Sequence, residues 1–218
     1  MVELKLIELS KSYKNKQVLK NVSLSFSEGE IVGILGENGS GKSTLLSILA
    51  GVEKSDSGTV LLSGKNLLKS RKSSRFSETV GYVPQSTVLI EELSAFDNLR
   101  LWYKKSELDC ALSDDGILNF LGINSFLRTT VSKMSGGMKK RLAIGCAVAK
   151  NPKILLLDEP SAALDIPCKQ KLHDYYKNFT KKGGILLIVT HDEAEISLCT
   201  KKIVLKDGEA HLIGEEQK

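Results

Sequence analysis

At 218 residues, with 41% hydrophobic and 26% charged residues, the chain can bury a sizeable core as one α/β unit with an inserted subdomain, and is short for two full domains. Its net charge of +5 is spread over Lys14, Lys16 and Lys20, Lys69 to Arg75, Lys104 and Lys105, Lys181 and Lys182, and Lys201 and Lys202, which reads as a solvated basic surface with no more than a weak pull toward an anionic membrane face. Aromatics are only 6%, too few for a single-strand stacking surface, so nucleic acid is not an expected partner.

Met1 leads straight into the alternation Val2-Glu3-Leu4-Lys5-Leu6, which is not a signal peptide. Val22, Leu24 and Phe26 alternate with Ser23, Ser25 and Ser27, so the N-terminal part is expected to form antiparallel strands with one buried face. Between them lies Lys11-Ser12-Tyr13-Lys14. Read alone, Tyr13 is a surface tyrosine on an edge; in a nucleotide-binding chain its ring is a surface on which a base stacks.

After the turn Glu28-Gly29-Glu30, the apolar run Ile31 to Leu35 reads as a buried strand. Gly36-Glu37-Asn38-Gly39-Ser40-Gly41-Lys42-Ser43-Thr44 follows, and Leu45, Ile48 and Leu49 then share a helical face. This is G-x-x-x-x-G-K-[ST] between a strand and a helix, the context a phosphate-binding loop requires. The glycines permit positive φ and keep β-carbons off a ligand, so backbone N–H groups can face phosphate oxygens. The helix start adds unpaired N–H groups, Lys42 supplies a charge for the β- and γ-phosphates, and the Ser43 hydroxyl is the expected Mg²⁺ ligand. The chain therefore binds a nucleoside triphosphate.

Gly51 closes that helix, and Ser57-Gly58 with Ser63-Gly64 bracket a short strand, Thr59 to Leu62. Lys65 to Arg75 reads as a polar loop or frayed helix, and Val80 to Pro84 as a strand ending at Gln85. From Glu91 to Ala149 the helical period takes over, with Leu93, Phe96, Leu99, Leu101 and Trp102 and then Ile117, Leu118, Phe120 and Leu121. This is the candidate inserted helical subdomain (about 86–150), the nucleotide-binding core being 1–85 and 151–218, and Trp102 reads as a core or partner contact.

Met134-Ser135-Gly136-Gly137-Met138-Lys139-Lys140-Arg141 opens a further helix. Ser135 is a good N-cap and the paired glycines leave backbone donors bare, so the segment is either a helix cap with a glycine hinge or a second anion site for another molecule's γ-phosphate. Pro152 ends the helix, and Ile154 to Leu157 forms a buried strand finishing in Asp158-Glu159-Pro160. Such a triplet can be a bare turn; beside a phosphate loop, Asp158 supports Mg²⁺ and Glu159 orients or deprotonates a water. Ser161 to Asp165 leads to a polar helix over Lys169 to Phe179, then a strand, Gly184 to Val189, ends in Thr190-His191-Asp192. A lone histidine is commonly structural, but His191 stands at the same kind of strand end as Gln85 and Glu159, where doubly wound sheets bind ligands. Lys202 to Lys206 and Ala210 to Ile213 flank Asp207-Gly208, a hairpin signal.

Cys110, Cys146, Cys168 and Cys199 stand far apart with no C-x-x-C pair and no His at ligand spacing, which reads as ordinary thiols of a reducing compartment. No apolar run approaches the ~20 residues of a membrane helix.

From Val2 to about Gly214 the chain resembles the nucleotide-binding domain of ATP-binding cassette (ABC) transporters. The resemblance rests on the order Tyr13, Gly36 to Thr44, Gln85, Ser135-Gly136-Gly137, Ile154 to Glu159, Ser161 to Asp165 and His191. It implies an α/β P-loop NTPase core with a mixed sheet, an antiparallel N-terminal β-subdomain and an inserted helical subdomain. It further implies that Tyr13 stacks on adenine with Val18 near the ribose, and that Gln85 touches Mg²⁺ and the membrane partner's side of the cleft. Ser135, Gly136, Gly137 and Met138 would bind the γ-phosphate held by a second ABC subunit, in a homodimer or heterodimer. Glu159 would be the base, Asp158 the Mg²⁺ support, Ser161 and Asp165 part of the loop linking the two sites, and His191 the γ-phosphate sensor. Met138 stands where the family commonly has glutamine and Met134 where it has leucine, which leaves the Ser135 and glycine donors in place.

The function implied is an ATPase subunit, peripheral on the inner face of the cell membrane, energising integral membrane subunits on separate chains. The alternative is a soluble non-transport ABC ATPase of the iron–sulfur assembly type. The chain stops soon after the last hairpin, short of the regulatory domain seen on some importers, and its Met-Ser-Gly-Gly-Met-Lys-Lys-Arg signature resembles those of exporters of drugs, peptides or lipids.

Overall fold

A computed structural model describes residues 2–14, 16–68, 78–86 and 88–213. The lysine-rich part of the expected loop or frayed helix, 69–77, lies outside the described residues.

Two sheets form the frame. Strands β1 (Glu3–Tyr13) and β2 (Lys16–Ser27) pair antiparallel, and β1 also pairs antiparallel with β4 (Ser57–Leu62), which a two-residue β5 (Lys65–Asn66) extends. This is the alternating N-terminal pattern realised: Leu4, Leu6, Val22, Leu24 and Phe26 are buried while Lys5, Ser23 and Ser25 face solvent.

The second sheet has β3 (Ile31–Leu35) near its middle, flanked on one side by β8 (Ile185–Val189), β7 (Ile154–Asp158) and β6 (Val80–Val83), and on the other by β9 (Lys201–Lys206) and β10 (Glu209–Ile213). All pairs are parallel except the β9–β10 hairpin, whose Asp207 (φ 51°) and Gly208 (φ 85°) both take the left-handed conformation that a two-residue turn demands. Strand β8 is apolar throughout, and β7 is apolar up to its terminal Asp158, because both faces are covered. Leu155 and Leu157 enter one core while Ile154 and Leu156 enter the other. The second core also holds Leu45, Leu46, Ile48 and Leu49 of α1 (Lys42–Leu49).

The expected helical stretch between β6 and β7 is a set of short helices: α2 (Ala95–Arg100), α3 (Lys105–Leu112), α4 (Ile117–Phe120), two 3₁₀ turns (Ile123–Phe126 and Val131–Lys133) and α5 (Gly136–Ala147). Leu99, Leu118 and Leu121 are buried as the period implies, but Phe96, Leu101 and Trp102 are exposed. Trp102, 49% exposed, is therefore not a core residue. Helix α5 ends at Ala147 with Val148 as its cap, ahead of Pro152. The polar helix expected from Lys169 begins earlier, as α6 (Ile166–Lys181), because the Asp165 carboxylate accepts from the Cys168 N–H at 2.9 Å and Pro167 suits the first turn. A short α7 (Glu193–Leu198), capped by Asp192, follows His191 and has no counterpart in the sequence reading.

Candidate active site

The carboxyl ends of β3, β6, β7 and β8 lie side by side, since Val83 pairs with Leu157, Asp158 with Val189 and Ile34 with Val189. The residues just beyond those ends, the loop from Gly36, Gln85, Asp158-Glu159 and His191, thus converge by strand register alone. They surround a cleft of about 850 Å³ lined by Tyr13, Val18, Glu37, Asn38, Gly39, Gly41, Lys42, Ser43, Thr44, Gln85, Asp158, Glu159, Val189 and His191.

The floor is the glycine loop. Gly41 is the N-cap of α1 at φ 106° with no side-chain cap, which leaves the helix start without an internal acceptor. Buried Lys42 sends its ammonium to the carbonyls of Gly36 at 2.7 Å and Glu37 at 2.9 Å. The glycines take the positive φ that the sequence implies, 142° at Gly36, 80° at Gly39 and 106° at Gly41, and two of them are needed for a further reason. A Cβ at Gly36 would lie 2.4 Å from the Leu205 carbonyl, and one at Gly41 2.9 Å from the Val18 carbonyl. The crowding is against the protein's own strands, and the ligand side stays clear. Gly36 and Ser40 shape the loop without lining the cleft.

At the mouth, Tyr13 is 44% exposed beside Val18, with the Lys11 ammonium 4.9 Å from its ring centroid. At the far wall, Glu159 sits at φ 47°, a left-handed conformation seldom taken by a side-chain-bearing residue, and its N–H donates to the Val189 carbonyl at 2.8 Å. Its carboxylate accepts from Gln85 Nε2 at 3.3 Å, and His191 Nε2 stands 3.9 Å from the other oxygen. Gln85, Glu159 and His191, far apart in sequence, form one contiguous set.

Asp158 is 2% exposed. Burial pushes its carboxyl pKa up, while the Ser43 hydroxyl, Lys140 and Lys42 pull it down against the repulsion of Glu159. One oxygen, Oδ2, has no hydrogen-bond partner among the described residues. An orphaned carboxylate oxygen beside a serine hydroxyl and a glutamine is a hard-oxygen donor set that suits Mg²⁺. Among the described residues no three His, Cys, Asp or Glu side chains form a metal cluster, so such an ion would complete its shell with nucleotide oxygens and water.

Ser135, Gly137 and Met138 do not line the nucleotide cleft, and neither does Gly136, which borders a separate hollow of about 390 Å³ with Gln85 and Glu159. Ser135 caps α5 by accepting from the Met138 N–H at 3.2 Å. Asp165 caps α6, and Ser161 is buried, with its hydroxyl on the Glu195 carboxylate. Sequence reasoning missed Lys140. It is 5% exposed, and its ammonium donates to the carbonyls of Pro84 (3.4 Å), Gln85 (3.2 Å) and Asp158 (3.4 Å). It thereby joins the signature helix to two loops of the site.

A parallel sheet whose β3 runs through a glycine loop into a helix, with a buried aspartate and adjoining glutamate at a neighbouring strand end, defines a P-loop nucleoside triphosphatase. The family model described as ABC transporter matches residues 19–162, and the chain belongs to that family. It is 37% identical over 216 residues to the spermidine/putrescine import ATP-binding protein PotA of Spiroplasma citri, covering 97% of this chain and 61% of that protein. It is 30% identical over 210 residues to the linearmycin resistance ATP-binding protein LnrL of Bacillus subtilis, covering 94% and 67%. A dimeric post-hydrolysis structure of the ATP-binding cassette MJ0796 bound to ADP and Pi superposes with a TM-score of 0.84 at 30% identity, covering 98% of this chain and 100% of that one. The chain thus spans 61% of the length of its curated relative PotA.

Proposed function

We propose that this chain hydrolyses ATP as the energising subunit of an ABC transporter, working head to tail with a second cassette on the inner face of the membrane. The observation that carries the reading is the convergence of Lys42, Asp158, Glu159, Gln85 and His191 on one cleft while the Ser135-Gly136-Gly137 helix start lies outside it. A site with every cis component and a phosphate-type helix start turned elsewhere is half of a composite site.

In this reading Tyr13 and Val18 hold the base and ribose, and the loop N–H groups and Lys42 hold the phosphates. Ser43, Asp158 and Gln85 would hold Mg²⁺, which would supply charge neutralisation for the phosphates. Glu159 orients a water in line with the γ-phosphate and takes its proton, and His191 holds the γ-phosphate from the other side. Ser135 and the two glycines close on the nucleotide of the opposite subunit.

Among the described residues no helix is long and apolar enough to cross a membrane, so the membrane path is assigned to other chains. Exposed Val88, Ile90, Phe96, Leu101 and Trp102 lie along α2 and the loop after Gln85, whose Ile90 is held to Asn98 by two hydrogen bonds of 2.9 and 3.1 Å. Exposed apolar side chains of this kind suit a membrane-subunit contact. Direction belongs to the membrane chains. The signature pointed to export, but PotA, the more similar of the two relatives, is named for import, and we take import as the direction to test first.

The test is purification of the tagged chain from detergent-solubilised cells. A multi-spanning membrane protein in stoichiometric amount is the expected companion. Recovery with soluble partners alone would contradict the transporter reading and favour the iron–sulfur type of ATPase.

A further inference from the structure

Glu195 is fully buried at 0% exposure, and the chemistry above makes no use of it. It lies on α7, and its carboxylate gathers hydroxyls from three separate parts of the fold. Thr190, at the end of β8 and next to His191, donates to Oε2, Tyr176 of α6 donates to Oε1 at 3.2 Å, and the hydroxyl of Ser161, in the loop after Glu159-Pro160, lies beside the same carboxylate. Burial pushes the Glu195 pKa up, while these hydroxyls and His173 pull it down.

Both catalytic loops thereby meet at one group. Thr190 Oγ1 also accepts from the Asp192 N–H at 3.0 Å, and Asp192 Oδ2 takes the Lys169 ammonium at 2.6 Å, so the residues on either side of His191 are pinned. On the other side, the loop that begins at Ser161 leans on the signature helix. A Cβ at Gly137 would sit 2.7 Å from the Ala163 carbonyl, and Ala163 itself holds φ 64°. A continuous chain of contacts therefore runs from His191 through Thr190, Glu195, Ser161 and Ala163 to Gly137.

We infer that Glu195 is a positioning residue that sets the His191 loop and the Ser161–Asp165 loop against each other, and so couples the nucleotide held in cis to the signature that serves the opposite subunit. The inference rests on the head-to-tail reading above. It makes two of the three hydroxyl arms functional and the third, from Tyr176, purely structural, because Tyr176 belongs to neither loop.

The experiment measures ATP hydrolysis against ATP concentration, with melting temperatures, for the unaltered chain, E195A, E195Q and Y176F. A displaced loop near the chemistry lowers rate by up to about 10²-fold, so E195A is expected to lose about that much kcat with KM for ATP within about threefold. Its Hill coefficient is expected to fall to about 1 as the coupling between sites is lost. E195Q keeps the volume but loses the charge on which the surrounding hydroxyls converge, so it folds where E195A fails to, and still loses cooperativity. Y176F melts lower yet keeps kcat and cooperativity. Cooperative turnover in a folded E195Q or E195A, or a parallel loss in Y176F, would overturn the inference. Absence of turnover in the unaltered chain would instead overturn the ATPase reading, and the inference with it.

Discussion

Asp158 gives a stability prediction opposite in sign to its effect on activity. Its carboxyl is 2% exposed, one oxygen is orphaned, and its folded pKa lies above the ordinary 3.8 chiefly because of burial. A carboxyl whose folded pKa is raised favours the protonated form, so its contribution is stabilising below the unfolded value and becomes unfavourable as pH rises through the folded one. Near neutral pH the ionised group therefore destabilises the nucleotide-free fold. Asp158→Asn removes the buried charge at nearly constant shape, and relief of its desolvation is worth about 1–2 kcal/mol. For a chain of this size each kcal/mol moves the melting temperature by about 2–4 °C, so the variant is expected to melt about 2–8 °C higher in chelator without nucleotide. The gap should narrow as pH falls through the Asp158 titration. With Mg²⁺ and ATP the order reverses, because a ligand at a hundred times its Kd stabilises by about 2.7 kcal/mol and the variant forfeits much of that. Thermal melts under both conditions decide it. A nucleotide-free variant that melts below the parent would show that protein contacts already satisfy Asp158, and would remove the argument for a metal there.

The Gly136 position tests the trans role: a Cβ there meets only the Ala163 methyl at 3.4 Å, so Gly136→Asp should fold and bind ATP yet lose cooperative turnover, and unchanged rates would contradict the assignment. By contrast, Gly137→Ala drives its Cβ toward the Ala163 carbonyl at 2.7 Å and should lower the melting temperature by several degrees, about 1–3 kcal/mol of overpacking. Lys140→Met removes an ammonium that three carbonyls accept from and that offsets the Asp158 and Glu159 charges, so the melting temperature should fall while kcat falls about tenfold as the Gln85 and Asp158 loops lose their shared donor. Retained kcat would reduce Lys140 to packing.

The phosphate loop was legible because its fixed residues come between a strand and a helix whose patterns differ, and parallel strands β7 and β8 because apolar residues on both faces leave no alternation to misread. The convergence of Gln85, Glu159 and His191 needed only the inference that each ends a strand. What stayed hidden was burial of charge. Neither Lys140 nor Glu195 stands out in the sequence, since nothing there separates a solvated charge from one seated on carbonyls or hydroxyls. The start of α6 was lost because Asp165 was assigned to a dimer loop, although Asp-x-Pro ahead of a helix is itself a capping signal. Trp102 reads in the sequence as a core or partner contact, and its 49% exposure excludes the core and leaves the partner contact.

The central claim is that the chain is half of a composite ATPase site, and Glu159→Gln tests it most directly. The amide keeps the contact with Gln85 but cannot take a proton from water, so ATP should bind without turning over. Light scattering after size exclusion, with Mg²⁺ and ATP, should then find a dimer that the nucleotide-free protein does not form. A variant that stays monomeric while saturated with ATP, or that hydrolyses it at the parent's rate, would contradict the account.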